Sequence, residues 1–149
     1  MSKFVVSFFA CLLGLSLNGQ CAVTPEDKQA LIAAYKPVIT ECSQTYGVTD
    51  EDIHTAKEKV SAEGIAPCFF GCAFKKLEII NGEGKVDVPV ALSKLKKFVK
   101  DDGDFAKFEE IGNKCASVND ESVSDPEAGC ERAQLLLKCF VENKAELPL

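Results

Sequence analysis

The chain has 149 residues with 17 Lys and Arg against 23 Asp and Glu, a formal net charge of −6, eight cysteines and one histidine. That length suits one domain with a real core and is too short for two of typical size, and the acidic balance argues against nucleic acid or an anionic membrane surface as the main partner. One histidine and no Gly-x-Ser-x-Gly elbow leave little from which to build a hydrolase, and an acidic chain is a poor toxin or antimicrobial.

The first segment reads as an address. Met1-Ser2-Lys3 is a short basic start, Phe4 to Leu17 is a fourteen-residue apolar run, and Asn18-Gly19-Gln20-Cys21-Ala22 is small or polar. This is the three-part build of a secretory signal peptide, and the run is shorter than the roughly 20 apolar residues of a membrane span. Cleavage after residue 21 or 22 is expected, leaving one secreted domain over 23–149. Only Lys3 of the basic residues is lost, so 16 Lys and Arg remain against 23 acids, a net charge of −7.

The rest reads as helices, with no alternating strand runs. Thr24-Pro25-Glu26-Asp27 caps a helix running to about Tyr46, with Leu31, Tyr35, Val38 and Cys42 on one face. Pro37 inside it is expected to kink or split it. Thr49 to Asp52 opens a second, mostly polar helix to about Ala62. Pro67 opens the third, carrying Cys68, Phe70, Cys72, Phe74, Leu77 and Ile80 before the Asn81–Gly84 loop. Pro89 opens the fourth, to about Lys100, with Val90, Leu95 and Phe98 apolar and Lys94, Lys96, Lys97 and Lys100 on the rest. Those lysines either attract acidic ligands or a receptor or form a solvated face. The fifth runs from about Phe105 to Ser117 and carries Ile111. Asp125-Pro126 begins the sixth, to about Lys144; with Leu136 and Phe140 it reads as apolar on nearly every side, hence central.

Six cysteines stay in the secreted part: Cys42, Cys68, Cys72, Cys115, Cys130 and Cys139. Free thiols would oxidise outside the cell. Metal clusters usually show Cys-x2-Cys or Cys/His sets, and His54 is far in sequence from any cysteine. Disulfides are therefore expected, although six cysteines allow 15 pairings.

The spacing Cys42-x25-Cys68-x3-Cys72-x42-Cys115-x14-Cys130-x8-Cys139 resembles the six-cysteine signature of insect pheromone-binding and general odorant-binding proteins, above all in its x3 and x8 intervals. Plant lipid-transfer proteins, secreted phospholipases and saposins need cysteine or His-Asp patterns that are missing here. The resemblance implies the pairs Cys42–Cys72, Cys68–Cys130 and Cys115–Cys139. It implies an all-α bundle of about six helices around an internal hydrophobic cavity, interlocked by three disulfides. The implied function is non-enzymatic: a secreted carrier of odorants, pheromones or similar volatiles through sensory lymph, with a carrier or scavenger role in haemolymph, saliva or reproductive secretion as the alternative. No cofactor or metal is implied. The partners implied are a small hydrophobic ligand and an olfactory receptor, for a monomer or weak dimer; nucleic acid and stable membrane insertion are not expected.

Aligned on the cysteines, the resemblance puts Tyr35, Phe70, Phe74, Ile80 and Phe140 at the pocket. Leu31 and Val38 share the Tyr35 face, and Leu77, Val90, Leu95, Phe98, Ile111 and Leu136 are candidates for which core packing explains the pattern equally. Leu147-Pro148-Leu149 is either a lid over the pocket or a frayed end. His54 is either a pH sensor for release or a bystander on a polar face.

Overall fold

The computed structural model describes residues 24–148 apart from Val60 and the side chain of Lys57. The expected signal peptide, its cleavage site, Cys11 and Cys21 lie outside the described residues. Six α-helices follow in order: α1 (Pro25–Tyr46), α2 (Asp50–Lys59), α3 (Pro67–Lys76), α4 (Val88–Leu95), α5 (Asp102–Cys115) and α6 (Cys130–Glu142). Single 3-10 segments, Ala116–Asp120 and Lys144–Glu146, follow α5 and α6.

The helix starts are built by side chains that satisfy orphan backbone amides. Thr24 Oγ1 accepts from the Asp27 amide at 3.1 Å, with Pro25 in the first turn. Thr49 and Asp52 cap each other reciprocally: Thr49 Oγ1 accepts from the Asp52 amide at 3.1 Å, and Asp52 Oδ2 accepts from the Thr49 amide at 2.9 Å. Asp87 Oδ1 serves the Val90 amide at 3.1 Å, and Asp101 Oδ1 serves the Asp104 amide at 2.8 Å.

Several helix limits differ from the sequence reading. Helix α1 runs unbroken through Pro37; a proline removes one intrahelical bond, and the Cys42–Cys72 link fixes the half that follows. Helix α2 ends at Lys59, and α3 ends at Lys76 instead of near Ile80. Glu78 there adopts φ 58°, and the Phe74 carbonyl accepts from the Ile79 and Ile80 amides at 2.8 and 3.1 Å, which turns the chain out of the helix. Helix α4 stops at Leu95, so Phe98 and Val99 come inward from the turn that follows it. Helix α5 starts at Asp102 and ends at Cys115. Pro126 does not open α6. Gly129, at φ 73°, stands just before the first helical residue, and Asp125 Oδ2 caps the helix from upstream by accepting from the Cys130 amide at 2.9 Å. Nor is α6 apolar all round, because Gln134, Lys138 and Glu142 are exposed.

The disulfides make α3 and α6 the hubs. Cys42–Cys72 joins α1 to α3, Cys68–Cys130 joins α3 to α6, and Cys115–Cys139 joins α5 to α6. Each such link contributes roughly 2–4 kcal/mol, mainly by restricting the unfolded chain. The α3–α6 crossing is close because Gly71 has no side chain: a Cβ there would lie 3.1 Å from the Cys130 Cα and N.

Two apolar clusters result. One gathers Ile80, Val86, Val88, Ile111, Cys115, Val118, Ala133 and Leu136. The other gathers Cys42, Ile65, Phe69 and Ala73 beside α1 and α2. Arg132 is buried at the edge of the first, where its guanidinium donates to the carbonyls of Gly84 (3.1 Å), Val118 and Glu121 (3.0 Å). It thereby ties the α3–α4 loop and the first 3-10 segment to α6.

Candidate ligand-binding site

An open cleft of about 750 Å³ lies between the segment joining α2 to α3, the start of α3, and α6. Its apolar lining is Ile65, Pro67, Phe70, Val123, Leu135, Leu137 and Val141. A second hollow of about 290 Å³ shares Ile65, Phe70, Leu137 and Val141 with it and adds Ile53, Ala56 and Phe69 from α2 and α3. The two adjoin along this shared apolar wall, and the cleft itself is within the size range of pockets for small molecules.

Phe70 is its pivot. It packs against both apolar clusters and lines both hollows. Its ring meets Phe69 edge-on at 5.1 Å and lies 6.4 Å from Phe74, separations at which aromatic pairs attract beyond simple burial. Leu137 and Val141, four apart on α6, present one face to the cleft, whereas Leu136, just before Leu137, points into the core and is 1 % exposed.

Serine and glutamine groups, three carboxylates and one ammonium edge the cleft: Ser61, Ser122, Gln134, Glu63, Glu131, Glu142 and Lys138. Glu131 is fixed there. The Ser124 hydroxyl and amide donate to its carboxylate at 2.5 and 2.7 Å, and they hold its pKa below the usual glutamate value.

The thirteen residues expected at a pocket fall into two sets. Ile80, Ile111 and Leu136 are fully buried in the first cluster. The other ten are half-buried, retaining apolar surface that a ligand can cover. Phe70, Phe74 and Phe140 pack on the first cluster, and Val38 and Phe70 on the second. Tyr35 and Phe98 meet edge-on at 6.0 Å, bringing α1 against the turn after α4. Burial pushes the Tyr35 hydroxyl pKa up, partly offset by the Lys94 ammonium. Leu31 and Leu95 are half-buried on α1 and α4, Leu77 is half-buried just past the end of α3, and Val90 borders a separate hollow beside Lys75 and Glu78. Of the thirteen, Phe70 alone lines the cleft.

Ile65, Leu137 and Val141 line the cleft, Ile53 lines the second hollow, and all four are absent from the sequence-based set. The i, i+4 pair Leu137 and Val141 was visible as a periodic feature; which of the α6 faces turns to the core was not. His54 is exposed on α2, 3.7 Å from Glu58. Of the α4-region lysines, Lys94 pairs with Glu78, Lys96 with Asp102 at 2.6 Å and Lys100 with Asp27 at 3.2 Å. Leu147 packs on the first cluster.

A sequence model of the PBP/GOBP family matches residues 24–143. The chain belongs to the PBP/GOBP family of insect odorant-binding proteins. It is 28% identical over 131 residues to general odorant-binding protein 28a of Drosophila melanogaster, covering 87% of this chain and 88% of that one. It is 25% identical over 150 residues to odorant-binding protein 10 of Aedes aegypti, covering 99% and 94%. The solved structure of odorant-binding protein 28a from Drosophila melanogaster superposes with a TM-score of 0.58 at 25% identity, over 80% of this chain and 95% of that one. Six helices tied by six cysteines in three disulfides are the family's fold. Its members are non-enzymatic carriers of small hydrophobic ligands and are typically secreted.

Proposed function

We propose that this protein carries odorants, pheromones or similar volatile lipophiles through aqueous sensory lymph after removal of a signal peptide ending at residue 21 or 22. The cleft beneath Phe70 holds the ligand. The observation that supports this most is the apolar wall formed by Ile65, Phe70, Leu137 and Val141, shared by both hollows. Burying an alkyl chain or ring there recovers roughly 25 cal/mol for each Å² of apolar surface removed from water. The apolar floor, with the polar groups kept to the edge, selects the hydrocarbon part of a ligand by shape, so binding is micromolar and permissive among chains and rings of similar size. Outside the cleft, the half-buried Tyr35, Phe74, Phe98 and Phe140 offer further apolar surface to a ligand, and the Tyr35 hydroxyl offers a hydrogen bond.

Displacement of a fluorescent apolar probe by long-chain alcohols, esters and terpenoids tests this reading. Saturable, competitive displacement is expected. A flat response across all three classes contradicts it.

A further inference from the structure

We propose that the mouth of the cleft disfavours lipophiles with a carboxylate head and admits neutral or cationic ones. This rests on the reading of the cleft as the ligand site. Four ionisable side chains edge it: Glu63 from the segment after α2, and Glu131, Lys138 and Glu142 from α6. Lys138 and Glu142 are four apart on one helical face, where opposite charges neighbour each other. Three carboxylates against one ammonium leave the mouth with two negative charges uncompensated.

The hydrogen bonds from Ser124 keep Glu131 both ionised and in place at the mouth. The apolar lining at Phe70, Leu137 and Val141 takes the ligand's hydrocarbon part, so a polar head is left at the rim. A hydroxyl or ester there finds Ser61, Ser122 and Gln134 as partners. A carboxylate meets a net negative field, and an ammonium is attracted by it; salt weakens both effects.

The test is displacement of bound N-phenyl-1-naphthylamine from the secreted, disulfide-bonded protein by dodecanol, dodecanoic acid and dodecylamine at neutral pH and low salt. The acid is expected to compete about three- to tenfold more weakly than the alcohol, the amine at least as well as the alcohol, with the gap narrowing as salt is added. In the double variant Glu63→Lys, Glu142→Lys the acid-to-alcohol ratio is expected to reach or pass one. Dodecanol displacing the probe while the acid matches it overturns the inference and leaves the binding reading standing. So does an unchanged ratio in the double variant. Failure of dodecanol itself overturns both.

Discussion

Gly71 of α3 lies so close to Cys130 of α6 that a Cβ would stand 3.1 Å from the cysteine's Cα and N. The contact is with backbone, which a rotamer change cannot relieve, and the Cys68–Cys130 disulfide pins the same crossing. Gly71→Ala is therefore expected to destabilise the oxidised protein by about 1–3 kcal/mol, read as a lower urea midpoint. An unchanged midpoint would mean that the helices separate freely.

Arg132 makes a parallel case among polar groups. Its guanidinium serves three backbone carbonyls from a buried position. Arg132→Met leaves those carbonyls without their charged donor and is expected to cost ~2–4 kcal/mol in chemical denaturation. A neutral substitution would show that water replaces the side chain without loss.

Leu136 and Leu137 are adjacent in sequence and opposite in role. Leu136→Ala opens a void in the closed cluster and is expected to cost about 2–5 kcal/mol. Leu137→Gln places a polar group in the open cleft, with little effect on the unfolding midpoint and at least roughly tenfold weaker probe binding, since each ~1.4 kcal/mol is a factor of ten. Paired denaturation and titration curves distinguish the two.

The pH dependence follows from groups whose pKa differs on folding. Asp27, Asp52, Glu78, Asp102 and Glu131 are held below their ordinary values of 3.8 and 4.5 by hydrogen bonds and nearby lysines. A carboxylate depressed in the folded state contributes stability above its unfolded pKa and loses it as pH falls through the folded one. Their contribution is therefore full at neutral pH and declines below about 4.5. Tyr35 behaves in the opposite sense: its raised pKa contributes stability below the ordinary value of 10.0 and loses it as pH rises further. A urea midpoint that rises on acidification below pH ~4 contradicts the account.

Removal of residues 147–149 examines the tail. Leu147 packs on the cluster that contains Leu136, so truncation is expected to speed ligand dissociation in stopped-flow release. Unchanged release assigns the tail no part in retention.

Much of the fold was legible because local rules carry it. Thr24-Pro25 and Thr49–Asp52 mark their helix starts through capping chemistry, and the x3 and x8 cysteine intervals point to the family. Helix ends were less legible where tertiary geometry overrides pattern. Glu78 turns out of α3 in a left-handed conformation that nothing in its residue type announces, and Gly129 delays α6 beyond Pro126. The site was legible at Phe70, two residues from the cysteine that ties α3 to α6. It was not legible at Leu137 and Val141, because on a helix bearing Leu135, Leu136 and Leu137 in a row the face that meets the core is set by where Cys130 and Cys139 are tied. The burial of Arg132 has no signal in the sequence, because its partners are backbone carbonyls.

The central claim is that the cleft beneath Phe70 holds a small hydrophobic ligand. Titration of the secreted, disulfide-bonded protein with N-phenyl-1-naphthylamine, beside the Leu137→Glu variant with its helical content checked by circular dichroism, tests it most directly. The account predicts saturable micromolar binding by the parent and its loss in a variant that remains folded. Binding by the folded variant equal to that of the parent would contradict it.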